Sequence, residues 1–556
     1  MVTAMVMVTG MDMKTEFSIA LPLTAIMLWG VSGASFAQQS IPGAISSPSA
    51  GAGIGIPGSS MGASRSGTDG DEPDQERTWT IRPRVTLTET LSDNISINRG
   101  SNGKQSDLIS ELTPGVRIEA RTARLKGYFD YALRGQFYAK TDYSRTQNSL
   151  NSFGSFEAID NFLFLDFSGV IAQQAISALG TQSPGNTSIN NNITETSTYR
   201  LSPYIRGQIG GSVDYFLRYN TSTSQSSATT AYNVNLSQWA GQLRGSTPFQ
   251  NLRWSLDGTQ QTADYANGRK TEAETLKAFL TYSIFPEFRV SLSGGKESNN
   301  YASIDQETHN TYGGGFDWNP GPRTQVFAFK ERRFFGDGHN VRLSHRFPRS
   351  SIRFTDTRDV SVLPNQFATV GLGSVYDLYF DQFENLIPNA VTRANFVNAL
   401  LAQSGIDPNT QVTSGFLTTR ATVQRRQQLA LALFGNRNSI TFLANRNENQ
   451  TMLASSAVND DFAQSNSTTI RQQGFSLNYS HRLGELTNLN ALLSRQKSTS
   501  NGRTASDTTM TLYQINVSTR LGAHTTGSVS VRRSEFDSTT NPYTENALLG
   551  TISYIY

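Results

Sequence analysis

The sequence predicts an all-β, transmembrane, antiparallel up-and-down barrel of about 22 strands, within a range of 16 to 24, on three observations. Apolar and polar residues alternate with period two over stretches of ten or more residues. Tight turns alternate with longer polar loops. The chain ends on an alternating strand that stops at an aromatic residue, Tyr556.

Composition is compatible with this. Only 37% of residues are hydrophobic and the mean hydropathy is −0.39. Past residue 40 there is no apolar run of the roughly 20 residues a membrane helix needs. A barrel strand turns only every second residue to lipid, so low hydropathy is no obstacle. The formal charge of +3 is spread along the chain and leaves no basic stripe for nucleic acid. With no cysteine, the chain has no disulfides, no thiolate metal site and no lipid-anchored cysteine.

Residues 1–37 read as a signal peptide. Lys14 precedes an apolar stretch at 17–31, and the small residues Ser35 and Ala37 set cleavage between Ala37 and Gln38. The apolar stretch is too short to span a bilayer. No cation precedes Met13, which therefore reads as the natural start.

Residues 38–76 are rich in Gly, Ser, Pro and then acidic residues, a composition that cannot bury a core, and are expected to form a disordered periplasmic linker. Gly53, Gly55 and Gly58 match a dinucleotide-binding fingerprint, and Gly58, Ser60 and Gly62 a nucleophile elbow. Both devices work only between a strand and a helix, which are missing here, and Pro57 falls inside the first. The acidic run from Asp69 to Glu76 lacks the glycine and closing glutamate of a calcium loop.

From residue 77 the barrel begins. Trp79, Ile81, Val85, Leu87 and Leu91 share one face, against Thr80, Arg82, Arg84, Thr86 and Thr88 on the other. Leu125, Gly127, Phe129, Tyr131, Leu133 and Phe137 likewise oppose Lys126, Asp130, Arg134 and Gln136. Tight turns are expected near 122, 160, 209, 249, 286, 321, 348, 436, 485 and 523, and longer loops at 139–148, 173–194 and 449–467. That asymmetry puts the short turns and both termini in the periplasm. In the last strand Ile552, Tyr554 and Tyr556 share a face and form the expected signal for the barrel-assembly machinery.

One stretch departs from the alternation. At 362–416, Pro388 and Asn389 look like a helix start. Val391, Ala394, Val397 and Leu401 follow at helical spacing, and Gly405 is placed as a C-cap. This segment is expected to fold into or over the lumen as a constriction.

Little in the sequence speaks for enzyme chemistry. The histidines His309, His339, His345, His481 and His524 form no metal-type pair and no set with a serine and an acid, and no cofactor is expected. Arg121, Arg206, Arg244, Arg346, Arg482 and Arg520 recur just before tight turns, out of phase with the apolar face. They are candidates for a basic ring at the periplasmic mouth of the lumen; water-facing arginines at a membrane boundary are the plainer reading.

Three segments carry a family likeness: RVTLTETLSDNISIN at 84–98, SDLISELTPGVRIEAR at 106–121 and ERRFFGDGHNVRLSHRFPRSS at 331–351, of which Arg-Phe-Phe-Gly at 333–336 is the most distinctive. With these, the chain resembles the PEP-CTERM system-associated outer-membrane protein family. That resemblance implies association with exopolysaccharide and exosortase loci, and a role in exporting a polysaccharide or assembling the surface matrix. The partners expected are outer-membrane lipid, the assembly machinery, polysaccharide and periplasmic export components. A porin for small solutes, or a non-conducting structural or adhesin barrel, is the alternative.

Overall fold

The computed structural model describes residues 78–97, 103–185, 187–227, 233–249, 251–266, 268–362, 393, 397, 416–453, 461–464, 467–502 and 506–556. The signal peptide with its Ala37/Gln38 junction and the linker lie outside them. So does the proposed helix of the 362–416 segment, except for Arg393 and Val397, which are helical and buried.

The 22 strands, β1 (Trp79–Ser92) to β22 (Tyr543–Ile555), form one antiparallel sheet in which each strand pairs with its neighbours in sequence. β1 also pairs with β22, with Leu87 opposite Ile552 and Val85 opposite Tyr554, so the sheet closes without a free edge. The Tyr556 amide donates to the Pro83 carbonyl at 2.9 Å and completes the seam.

Alternation fixes which face is outside. Trp79 (50%) and Ile81 (62%) are exposed, as are Leu87, Leu276, Leu292 and Val531, although all are large and apolar. The alternate positions hold charged and polar residues that are buried, among them Arg117, Glu119, Asp166, Lys277 and Glu331. An apolar exterior around a polar interior inverts a soluble protein and is the pattern of a barrel of the outer-membrane type.

The short turns fall where alternation places them, at 122–124, 160–162, 210–212, 247–251, 286–287, 322–323, 347–349, 435–437, 483–486 and 521–524. The turn after β6 (Ile193–Ile209) is built on Gly210 and Gly211, whose φ of 59° and 70° only glycine adopts without strain. An aromatic girdle lines this end, including Tyr282, Phe285, Trp318, Tyr554 and Tyr556. The opposite end carries the long connections, such as 93–106, 176–192 and 452–468, together with short ones at 139–143, 266–270 and 539–542, and the shortest joins β13 (Thr324–Arg333) and β14 (Gly336–Arg346) through Phe334 and Phe335 alone, with Gly336 at φ 102°.

Candidate functional site

Two features inside the barrel have functional geometry: a cover across the long-loop mouth, and the inner wall beneath it.

The cover is the connection at 176–192, between β5 (Leu163–Ala175) and β6. Its shape comes from its own asparagines. Asn192 accepts from the Ser177 amide at 2.9 Å and donates to the carbonyls of Ser177 and Thr181 at 3.0 and 3.1 Å. So folded, the loop leaves its own strands and reaches other walls of the barrel. The Ile189 amide donates to the Ile95 carbonyl at 2.8 Å, beyond β1, and the Tyr138 hydroxyl on β3 (Leu125–Tyr138) donates to the Thr187 carbonyl at 2.7 Å. Tyr543 on β22 donates to the Gln182 carbonyl, and Asn541 to the Thr181 hydroxyl at 3.1 Å. The Ala178 amide meets Asp461 at 2.7 Å. Asp461 opens the short helix α1 (Asp461–Gln464), which follows β17 (Asn438–Thr451) on the opposite side of the 22-strand ring. Loop and helix together bridge the mouth.

Apolar packing backs these bonds. Ala178, Phe416, Phe462 and Ile470 form one buried cluster under the bridge. Beside it, Val234, Leu236, Ala263, Tyr265, Tyr301, Val360, Val362 and Ala421 form a larger one, on which Phe334 and Phe335 pack. The Arg-Phe-Phe-Gly block is therefore a clasp at the rim. Arg333 is buried, donates through Nε to Glu297 at 2.9 Å and through Nη1 to Asp359 at 2.6 Å, and stacks over Phe335 at 5.2 Å.

The inner wall is charged but compensated. Arg117 joins Glu119 at 2.8 Å and Asp130 at 3.1 Å, and Arg84 completes that cluster with Asp130 at 2.6 Å. Lys277 on β10 (Thr271–Phe285) reaches Glu331 on β13 at 2.7 Å across two intervening strands. Gly295 and Gly313 make this possible, since a Cβ at either would meet backbone atoms of the neighbouring strand and part of the Lys277 or Glu331 side chain.

A shelf of aromatic and basic groups occupies β5 to β7 (Val213–Ser226). Phe164 stacks on Tyr204 with centroids 5.0 Å apart, and Tyr204 meets Phe216 at 5.5 Å. Arg206 lies 4.3 Å over Phe164 and Arg218 lies 4.6 Å over Tyr204, the latter also paired with the buried Asp166. Phe164 is buried, with Tyr204 stacked on it and Arg206 over it, so the groups left for a hydroxylated or anionic ligand are the exposed Arg206 and the partly exposed Tyr204 and Phe216.

The six turn-flanking arginines have inner-face parity at the short-turn end, and most of those guanidinium groups are engaged locally. Arg121 pairs with Glu119 at 3.5 Å, Arg206 covers Phe164, and Arg244 donates to Gln242 at 2.9 Å. Arg482 donates to the Asn436 carbonyl at 2.9 Å, and Arg520 to the carbonyls of Gly522 and Ala523 at 3.1 and 3.0 Å. Arg346 is held through its amide, which donates to the Arg323 carbonyl. Two of these arginines end the same tripeptide, Ser344-His345-Arg346 and Ser480-His481-Arg482, and in each the histidine shares the outer face with a girdle aromatic, His345 with Phe347 at 4.1 Å and His481 with Tyr479 at 6.3 Å. Among the described residues no group of three His, Asp or Glu side chains is placed to hold a metal.

Sequence reasoning did not find the aromatic shelf or the cover. The shelf had a signal, since Phe164 and Tyr204 occupy the phase of Asp166 and Arg206 rather than that of Phe167 and Leu201.

No known family profile and no curated protein matches the chain. Among solved structures, it is similar to the siderophore receptor PirA from Acinetobacter baumannii (8% identity, 85% of this chain and 80% of that one, TM-score 0.41). It is also similar to the FrpB iron transporter from Neisseria meningitidis (9%, 87% and 82%, 0.36) and to a loop-deletion mutant of OmpT, an outer membrane protein of Vibrio cholerae (9%, 86% and 100%, 0.29). Likeness this distant says nothing about cargo.

Proposed function

We propose that the chain is a Gram-negative outer-membrane barrel, with long loops outside and both termini in the periplasm, that passes a hydrated polysaccharide or helps to assemble the surface matrix it enters. The observation that carries this reading is the aromatic and arginine shelf on a polar inner wall beneath a hydrogen-bonded cover. A ring of 22 strands encloses more space than side chains fill, so a barrel of this size needs either a plug or a passenger. Partly exposed aromatic rings suit contact with sugar, and the side-chain amides of Gln238, Gln261, Asn478 and Asn516 suit sugar hydroxyls. The likeness of segments 84–98, 106–121 and 331–351 to a family of exopolysaccharide loci supports the same cargo. Insertion would use Ile552, Tyr554 and Tyr556, which line the closing seam on the lipid side, as the assembly signal.

Deleting the gene and measuring surface polymer tests this: loss of extracellular polysaccharide with intracellular accumulation is expected, and normal surface polymer rejects it. Arg200, Arg206 and Arg218, which share the shelf, favour a second reading as a porin for small anions. Liposome swelling with a sugar acid but not with a large glycan would select that reading.

A further inference from the structure

On the outer face, the first polar residue above the apolar run toward the long-loop end differs between two sectors of the wall. On β17, β19 (Thr487–Ser500) and β21 (Thr525–Ser538) it is arginine: Arg446 after Ala444, Arg495 after Leu493 and Arg533 after Val531. Register puts all three outside, since Ala444 and Arg495 both lie opposite Phe475, and Arg533 lies opposite Tyr513. The equivalent positions on β1, β5 and β7 hold Glu89 after Leu87, Gln173 after Ile171 and Thr221 after Tyr219.

Height decides what these residues meet. Arg446, Arg495 and Arg533 each stand eight residues above the first residue of their strand. At about 3.3 Å per residue and about 40° of tilt that is a rise of about 20 Å, near the far edge of an apolar band of about 25 Å, from which a long guanidinium side chain reaches the headgroups.

The basic groups outnumber their carboxylates, with Arg446, Arg471, Arg495, Lys497 and Arg533 against Glu448, Asp507 and Glu535. Glu448 accepts from both Arg446 and Arg471 at 3.2 Å, one carboxylate between two guanidinium groups, and both of those side chains stay partly exposed. Lys497, one row from Arg495, pairs with Asp507 at 2.9 Å, and Arg533 with Glu535 at 2.7 Å. Arg495 is exposed and has no carboxylate within ion-pair distance among the described residues. Alternate strands and a two-residue stagger put neighbouring arginines of this row about 12 Å apart at the backbone, within reach of one another's long side chains. That spacing suits a headgroup with more than one phosphate, and guanidinium binds phosphate bidentately.

We propose that the outer face of β17 to β21 binds a multiply phosphorylated lipid of the leaflet at the long-loop end. Arg446, Arg495 and Arg533 hold the phosphates, Arg471 and Lys497 flank them, and the acyl chains run down over Phe475, Leu477 and Leu493. The site does not depend on what the lumen carries.

The test uses the full-length barrel purified from membranes, mixed with a bisphosphorylated glycolipid of the lipid A type or with its dephosphorylated form, and native mass spectrometry to count retained lipid. The wild-type barrel is expected to retain about tenfold more of the phosphorylated form, and the combined Arg446→Gln, Arg495→Gln, Arg533→Gln variant to lose that preference. A Gln173→Ala, Thr221→Ala control should keep it. Equal retention of the two lipids by the wild type overturns the proposal, as does an unchanged preference in the triple variant or an equal loss in the control. If the triple variant does not insert, the comparison of the two lipids on the wild type decides.

Discussion

The two ends of this barrel are made from the same strands and behave differently. At the short-turn end the inner phase of β8 (Val234–Ser246) stays polar, at Gln242 and Arg244, and the arginines there engage turn carbonyls and near neighbours. At the long-loop end the inner phase of the same strand turns apolar, at Val234 and Leu236, and so does that of β9 (Leu252–Tyr265), at Ala263 and Tyr265. A loop can lie across a mouth only if the rim gives it apolar surface to bury and partners for its backbone. The switch of phase gives apolar surface to Val360, Val362 and Ala421, whereas the cover buries Ala178 against Phe416, Phe462 and Ile470 and takes its backbone partners from Tyr138, Tyr543, Asn541 and Asp461.

The comparison is broken most severely at the rim clasp. Arg333→Ala leaves the buried Glu297 carboxylate without its partner and is expected to destabilise the barrel by about 3–5 kcal/mol. A urea titration of the folded, heat-modifiable band reads this, and an unchanged midpoint would show that the clasp is dispensable. Removing one tether of the cover should cost less. Tyr543→Phe loses the bond to the Gln182 carbonyl, about 1 kcal/mol, and should speed amide exchange across 179–190 while leaving the strands protected.

A smaller effect follows from pH. Burial raises the Asp107 carboxyl, but hydrogen bonds from Thr141, Lys140 and Leu108 outweigh it and hold the group below the ordinary carboxylate value. Its contribution is complete above that ordinary value and is lost as pH falls through the depressed one. The loop at 139–143 should therefore loosen only in acid, below about pH 4, and Asp107→Asn should abolish that acid dependence of its amide exchange. The smallest effect is expected at the other mouth. Because most of the six arginines are engaged locally, replacing Arg121, Arg206, Arg244, Arg346, Arg482 and Arg520 by glutamine should change the anion-to-cation permeability ratio less than about twofold. A larger loss of anion preference would restore the ring as a selectivity element.

The wall of the barrel was legible in the sequence because period two is a local property: Trp79, Ile81 and Leu87 declare a lipid face without knowledge of any partner. The turns were legible for the same reason. Inner-wall pairing was only half legible. Arg117 and Asp130 lie directly opposite each other once register is known, whereas Lys277 and Glu331 meet only because glycines on two strands let long side chains lie flat between them. The cover was hidden because residues 176–192 read as a polar loop, and their partners lie on strands far away in sequence. The apolar inner phase of Val234, Leu236, Ala263 and Tyr265 signals a different packing surface at the same end, the one that Val360, Val362 and Ala421 cover.

Single-channel conductance of the barrel with residues 179–190 replaced by two glycines tests the central claim, that the 176–192 loop closes the long-loop mouth. A conductance several-fold above that of the intact chain is the predicted result. Conductance equal to that of the intact chain would contradict it.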